Sequence, residues 1–273
     1  IRGSEDVDGP PAFVARQPSS SWIGQLQVVV DGRRLWSDTA LKIVWIVDGP
    51  EIRFGMGPFK MSFPTRMTLI RLPGGKLVVH SPTALTPDLA QEVKALGEVA
   101  DIVAPNKIHY WWMRDWAEAY PKARILAVPG VKERAGNRLP VGAFELDGAS
   151  VDGWGGTLSY LPVTGRYMTE AVLFHHPSRT LVLTDLIENF EPERIASSLK
   201  RVLLRLGGVM HPHGTMPRDM RMTFRGHEDH LRQAVRRMMD WKPERILLAH
   251  GKGYETNCRQ ELARAFRFVN VGD

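Results

Sequence analysis

The chain shows one arrangement twice: short apolar segments typical of β-strands come first, and segments with helical spacing follow. In the first half, six segments rich in β-branched or aromatic residues are separated by turn residues: 25–30, 34–36, 42–47, 52–54, 66–71 and 77–80. In the second half, three such segments are 158–162, 170–174 and 180–184. Two strand-rich blocks, each followed by helices, predict an α/β fold in which two sheets pack together with helices outside them.

The helices of the first half are marked by their terminal residues as well as by their spacing. Residues 87–96 have apolar side chains at helical intervals, with Thr86 in the N-cap position and Gly97 after the last turn. A buried strand to Ala104 and a helix from about Trp112 complete a β-α-β-α unit. The second half continues with helical regions over 193–206 and 227–239, and with a strand over 245–249 that leads into His250.

The domain organisation follows from a change of composition near residue 20. Residues 1–20 are rich in Pro, Ser, Gly and charge, which predicts a loose N-terminal arm. We interpret Ile1-Arg-Gly-Ser4, which has no initiator Met, as a remnant of an expression vector. Residues 21–273 are predicted to form a single domain, since their content of apolar and charged residues is ordinary for a globular protein.

Charge and cysteine usage limit the classes of partner. The net charge of +6 comes from 36 basic and 30 acidic residues spread along the chain, without a basic block, which argues against nucleic acid as a partner. No apolar run approaches the roughly 18–20 residues that span a bilayer, so we expect no membrane partner. The single cysteine, Cys258, fits a reducing cytoplasm. A small-molecule ligand is therefore expected, and the oligomeric state stays open.

Five landmarks carry chemistry-bearing residues at the ends of predicted strands. His109 follows the strand that ends at Ala104 and precedes Pro121 by twelve residues. The other four are His80-Ser81-Pro82, Gly165-Arg166, Asp185 and His250-Gly251. Their order and spacing resemble the metallo-β-lactamase superfamily over roughly residues 25–260. The closest resemblance is to an uncharacterised subgroup, a domain of unknown function, with Pro-Asn-x-x-His in place of the full His-x-His-x-Asp-His motif.

The resemblance implies a four-layer αβ/βα sandwich with a hydrolase site that has lost ligands. Aligned on the motif, Ala104 and Asn106 stand at two histidine positions, and Arg166 stands at a third. These residues leave the first metal position without its histidines, and the guanidinium of Arg166 would bring a permanent positive charge there. Ile108 replaces the aspartate of the second position. The resemblance therefore implies a degenerate site that holds one metal ion at most.

The second metal position keeps three residues that the family uses as ligands: His109, Asp185 and His250. Two histidines and one carboxylate can hold a zinc or iron ion with open coordination positions. These three residues are the candidate metal ligands and catalytic residues. In the alternative, which is slightly favoured at this point, no metal binds and Asp185 pairs with Arg166.

Candidate substrate-binding residues surround this position. We predict that Asn106, Tyr110 and Trp111 contact substrate, with the two aromatic rings at the mouth of the cleft, and that Arg166 binds an anionic group. An apolar pocket of this kind suits an ester-type bond in a lactone, a carboxylic ester or a phosphate ester. The resulting hypothesis is a hydrolase-like protein. Its alternative is a metal-free protein of the same fold that binds a small anion or regulates without catalysis.

Other histidines offer competing interpretations. His211-Pro212-His213 could present two imidazoles to one ion, but a solvated loop is the simpler interpretation. His227-Glu-Asp-His230 is interpreted as the start of a helix, and His175-His176 as a surface turn. His80 and Ser81 are not expected to form a base and nucleophile pair, because adjacent side chains on a strand point to opposite faces.

Overall fold

A computed structural model describes residues 27–30, 33–37, 43–56 and 59–271. The predicted N-terminal arm, 1–20, lies outside the described residues. None of the described helices has the length and apolar character that crossing a membrane requires.

The described residues form fourteen strands in three sheets. In chain order they are β1 Gln27–Val30, β2 Arg33–Ser37, β3 Val44–Asp48, β4 Ile52–Met56, β5 Phe59–Phe63, β6 Arg66–Arg71, β7 Lys76–His80, β8 Glu98–Ala104, β9 Arg124–Ala127, β10 Phe144–Glu145, β11 Leu158–Thr164, β12 Thr169–His175, β13 Thr180–Leu183 and β14 Arg245–Leu248. The first sheet has the order β1-β2-β3-β6-β7-β8-β9-β10, antiparallel as far as β7 and parallel beyond it. The second has the order β11-β12-β13-β14, with only β13 and β14 parallel, and β4 pairs with β5 alone.

Seven α-helices accompany the strands in the described part of the chain. They are α1 Pro87–Leu96, α2 Met113–Ala119, α3 Val131–Ala135, α4 Ser198–Gly207, α5 Arg218–Thr223, α6 Glu228–Asp240 and α7 Cys258–Ala265. The predicted N-cap of α1 is confirmed, because the Thr86 hydroxyl accepts a hydrogen bond from the amide of Leu89.

The second sheet lies between two apolar cores because its side chains alternate. Ala171 and Leu173 of β12 and Val182 of β13 join a core with the first sheet and helices α1 to α3. The intervening side chains, such as Val172 and Phe174, pack with α6 and α7 instead. Helices therefore cover the outer sides of two sheets that face each other. The predicted four-layer αβ/βα sandwich is confirmed.

Arg66 ties the two sheets together close to the end of β14. Its Nε donates to Asp48 Oδ1 at 2.6 Å, which holds the guanidinium in place on the first sheet. Its Nη1 donates to the carbonyl oxygens of Leu248 at 3.1 Å and Gly251 at 2.5 Å, on either side of His250. Charge-assisted bonds of this kind are stronger than neutral ones. The segment that carries His250 is thus anchored to the opposite sheet.

Several predicted boundaries differ from the structure. The helical region predicted over 193–206 is two elements, a single 3-10 turn at Pro192–Arg194 and then α4. Ser197 separates them, because its backbone is extended and its hydroxyl caps α4 by accepting from the amide of Lys200. The sequence patterns also missed short elements, namely β5, β9, β10, α3, α5 and α7.

Candidate metal centre

Asn106 builds the loop that presents His109. The loop follows β8, and the Asn106 side-chain oxygen accepts a hydrogen bond from the amide of Ile108 at 2.9 Å, which closes a tight turn. The Asn106 amide nitrogen donates to Asp185 Oδ2 at 2.6 Å and to Thr184 Oγ1 at 3.1 Å. Asn106 is fully buried. Asn106 therefore fixes the loop to the second sheet, and its position gives no support to the predicted contact with substrate.

Glu170 builds the turn that presents Asp185. This buried carboxylate of β12 accepts hydrogen bonds from three successive backbone amides, those of Thr184 and Asp185 at 2.8 Å and that of Leu186 at 3.1 Å. Three donors aimed at one carboxylate fix the backbone after β13. Burial, together with the charge of Asp185, raises the pKa of Glu170 to about 7.

His250 follows β14 and is held by the first sheet. Its Nδ1 lies 2.9 Å from the carbonyl oxygen of Pro64, which can only accept, so Nδ1 carries a proton. The rings of Phe63 and Phe190 lie against the imidazole, with centroids 6.2 and 6.0 Å away. In the neutral ring, Nε2 is therefore a lone-pair acceptor that points away from Pro64.

Ser81 holds the second imidazole. Its hydroxyl lies 2.7 Å from His109 Nδ1, and its φ of 55° places it in the left-handed region, which is uncommon for a residue other than glycine. A hydrogen bond at Nδ1 fixes the ring orientation and leaves Nε2 free for another partner. Both imidazoles therefore direct Nε2 to one place.

Three polar groups that can bind a metal ion meet at that place. His109 Nε2 lies 3.2 Å from Asp185 Oδ2, His250 Nε2 lies 3.2 Å from Asp185 Oδ1, and the two Nε2 atoms lie 3.2 Å apart. The three residues offer ligand atoms within 4.8 Å of one another, the arrangement that a bound ion requires. At these distances at least one ring nitrogen must carry a hydrogen that it donates to a neighbour, or a metal ion must lie between the three groups.

The charge balance of the cluster fits the same conclusion. Burial opposes the ionisation of Asp185, but the imidazoles of His109 and His250 hold the pKa of this carboxyl well below its usual range. Burial likewise opposes protonation of His250, yet its hydrogen bond to Asp185 raises the pKa of the imidazole. A negative carboxylate beside two imidazoles is a ligand set that zinc and iron accept.

Arg166 lies away from this cluster. It is exposed in the turn between β11 and β12, where its backbone amide donates to the carbonyl of Thr223. The expected pairing of Arg166 with Asp185 is wrong, since the side-chain partners of Asp185 within the described residues are His109, His250 and Asn106. The predicted anion contact through Arg166 therefore has no support from the geometry of the cluster.

The two aromatic residues after His109 differ in exposure. Tyr110 is 6% exposed and belongs to the core, so it does not line the mouth of a cleft. Trp111 is half-buried, with its ring stacked on Tyr110 at 5.8 Å and the Arg138 guanidinium 4.9 Å from its centroid. The burial of Tyr110 gives no support to its predicted contact with substrate, and the contact predicted for Trp111 stays a prediction.

The remaining histidines lie outside the cluster. His211 is half-buried and contacts the Asn189 side chain, whereas His213 is exposed. His227 precedes α6, as expected for a helix start, and His230 accepts a hydrogen bond from the amide of Thr164. The interpretation of His175 as a surface residue is wrong, because it is buried at the end of β12 and bonds to Ser178.

The buried His175 predicts a measurable dependence of stability on pH. Burial and the nearby His176 lower its pKa from 6.5 to about 4. Above pH 6.5 the His175 imidazole is neutral in both the folded and the unfolded state. Between pH 6.5 and 4 it is protonated in the unfolded state but stays neutral in the folded state. As the pH is lowered from 6.5 to 4, His175 should therefore reduce the free energy of unfolding by up to about 1.4 kcal/mol per pH unit.

The measurement is urea unfolding across this pH range for the parent, His175→Gln and the exposed His213→Gln. We expect a shallower pH dependence in His175→Gln only. Equal dependence in all three proteins would refute the assignment.

One known sequence family matches part of the chain. A family described as a domain of unknown function, DUF4336, matches residues 43–131, which include Ser81 and His109 but end before Asp185 and His250. A search of curated proteins found no significant match.

Solved structures are similar over most of the chain. The DIM-1 metallo-β-lactamase exposed to ceftazidime has a TM-score of 0.54 at 11% identity, covering 87% of this chain and 98% of its own. The metallo-β-lactamase from Hirschia baltica has 0.53 at 11%, covering 90% and 97%. That from Erythrobacter litoralis, with β-mercaptoethanol in its active site, has 0.53 at 12%, covering 89% and 98%. The chain has the metallo-β-lactamase fold. At such low identity the likeness concerns the fold alone.

Sequence reasoning missed three residues that organise this centre: Ser81, Glu170 and Pro64. For Glu170 a signal was present, since an acidic residue at the start of a buried strand needs partners. Ser81 was judged only against His80, its neighbour in sequence. The carbonyl of Pro64 carries no signal in a sequence.

Proposed function

We propose that this protein is a hydrolase of the metallo-β-lactamase fold that cleaves an ester-type bond with at most one metal ion. The bond would belong to a lactone, a carboxylic ester or a phosphate ester. The observation that carries the proposal is the convergence of His109 Nε2, His250 Nε2 and the Asp185 carboxylate, with both Nδ1 atoms already engaged.

The three residues fit a zinc or iron ion by their donor set. Each imidazole has an outer partner at Nδ1, Ser81 for His109 and Pro64 for His250, as metal-binding histidines usually have. When bound, the ion would polarise the carbonyl or phosphoryl oxygen of the substrate and make a water molecule more acidic. This convergence favours one bound ion over the metal-free alternative.

Residues of the chain would supply the negative charge, the positioning and the proton binding of the site. Asp185 supplies the negative charge of the site, and Asn106 and Glu170 hold it in place through its side chain and its backbone amide. In molecules that hold no ion, His250 Nε2, with its ring fixed by Pro64, can instead carry a proton that it donates to Asp185. The cluster is nearly enclosed, since the side chains of Asp185 and His250 are 4% and 7% exposed, which strengthens charge interactions there.

The test is the metal content of protein purified without added metal and then titrated with zinc or iron. We expect at most one equivalent at the cluster, because Ala104 and Ile108 offer no ligand atoms and Arg166 is exposed elsewhere. Mass spectrometry of the elements gives the stoichiometry, and anomalous scattering locates the ion. Two ions between the sheets, or no ion under saturating zinc, would overturn the proposal.

Turnover is then measured on a panel of aryl lactones, carboxylic esters and phosphate esters. Ester hydrolysis that depends on the added ion would support the assigned reaction. Binding of one ion without hydrolysis of any of the three classes would refute the catalytic part of the proposal.

A further inference from the structure

The helix α4 presents its apolar face to solvent. Leu199, Val202, Leu203 and Leu206 are 68%, 51%, 47% and 61% exposed, although they follow the spacing that normally marks a buried face. These four residues, hereafter the α4 face, stand three, four and seven positions apart and so lie on one side of the helix. The described part of the chain provides nothing that covers them.

The opposite side of α4 is the one that packs on the protein. Leu204 is buried in a small core with Phe190, Ile195, Val209 and Met210. Lys200, on the same side, donates to the carbonyl of Ser62, and its Nζ lies 5.7 Å from the Phe63 ring centroid. A single buried leucine and a lysine stem thus attach a helix whose larger apolar side faces outward. A contiguous patch of this kind indicates a contact surface.

The charge of α4 indicates what the partner is. Within Ser198–Gly207 the charged residues are Lys200, Arg201 and Arg205, all basic. Arg205 is exposed and borders the α4 face, about 60° around the helix from Val202, whereas the exposed Arg201 lies farther round, toward the side of Leu204, as a helical angle of about 100° per residue requires. A helix with an apolar face and a purely basic polar edge matches the chemistry of an anionic lipid surface.

A second copy of the chain fits this face less well. Pairing two α4 faces around a twofold axis would bring the Arg205 side chains of both copies to one interface, and α4 has no acidic residue to offset them. Repulsion between like charges in a partly desolvated interface opposes such pairing. An anionic bilayer offers both an apolar interior for the leucines and negative headgroups for the arginines.

We propose that α4 is a peripheral docking element that seats its apolar face in the headgroup region of an anionic bilayer. The contact requires no membrane-spanning helix, and it departs from the expectation of no membrane partner. Through Lys200 and Phe63 the element is joined to the segment that precedes Pro64 and contacts His250. Docking would therefore bring the rim of the candidate metal centre close to the lipid surface. The proposal rests on α4 alone and not on the proposed hydrolysis.

The experiment is flotation of the full chain with vesicles of phosphatidylcholine, with and without phosphatidylglycerol. We expect at least tenfold stronger binding to the vesicles that contain phosphatidylglycerol, and weaker binding at high salt. Leu199→Asp with Leu206→Asp should reduce that binding at least tenfold. Arg201→Glu with Arg205→Glu should remove the preference for anionic vesicles. Because these positions are exposed, circular dichroism and thermal unfolding should match the parent.

The matched control is Val141→Asp, which changes another exposed apolar residue and should bind as the parent does. Equal loss in this control would show a nonspecific effect and overturn the proposal. Sedimentation of the same proteins tests the other occupants. If the leucine variants instead abolish self-association, the α4 face binds a second copy and the proposal is wrong. If the parent neither binds vesicles nor self-associates, the proposal fails as well.

Discussion

Asp185→Asn is expected to weaken zinc binding by on the order of a hundredfold or more and to remove most hydrolysis. The substitution deletes the charge that offsets the ion and replaces one ligand oxygen with an amide group. The new side chain keeps one oxygen that can accept from Asn106, so the fold should survive. His250→Ala should have an effect of similar size, because it removes the ligand that Pro64 orients. Isothermal titration with zinc and turnover of an aryl ester measure both effects.

The control for these variants is His227→Ala. This histidine is half-buried at the start of α6 and is not part of the cluster, so zinc affinity and turnover should stay near parent values. Thermal unfolding must show that all the variants are folded. A folded protein with both Asp185→Asn and His250→Ala and with parent-like turnover would show that the chemistry lies elsewhere.

Glu170→Ala is expected to lower the free energy of unfolding by about 3–5 kcal/mol. Three buried amides lose their acceptor, and each unsatisfied donor costs about 1–3 kcal/mol before relaxation. Glu170→Gln retains one acceptor oxygen and should cost less. In that variant we expect zinc affinity to fall by about 10–100-fold, because the turn that carries Asp185 loosens.

Urea unfolding measures the free energy of unfolding of each variant, and zinc titration measures the loss of zinc affinity in Glu170→Gln. Glu145→Ala removes an exposed carboxylate on β10 and should change stability by no more than about 0.5 kcal/mol. If Glu170→Ala lowered the free energy of unfolding no more than Glu145→Ala does, Glu170 would have no positioning role.

The regular elements of the fold were predictable because their patterns reflect local physics. Alternation and β-branching located most strands of both sheets, and capping residues located α1. The positions of His109, Asp185 and His250 at strand ends followed from the resemblance. Their meeting point depends on pairs up to 141 residues apart in sequence, which no local pattern reports.

Two features of the structure were not predicted from the sequence, each for a physical reason. The rule that adjacent strand residues face opposite ways correctly separates His80 from Ser81. It gives no direction for Ser81 itself, whose positive φ takes it out of the strand and turns its hydroxyl to His109. The spacing of α4 likewise predicts a helix with an apolar side, but an apolar side is assumed to face inward. Only the packing of Leu204 shows that the larger face points outward.

The cluster takes ligands from both halves of the sandwich, and this has a thermodynamic consequence. His109 follows a strand of the first sheet, Asp185 and His250 follow strands of the second, and Arg66 and Pro64 bridge the two. An ion held by all three can bind only when the halves are assembled, so folding and metal binding become linked equilibria. At an ion concentration one hundred times the Kd, the folded state would gain about 2.7 kcal/mol. The concentration of available metal ion would then determine activity and also the fraction of chains that stay folded and resist proteolysis.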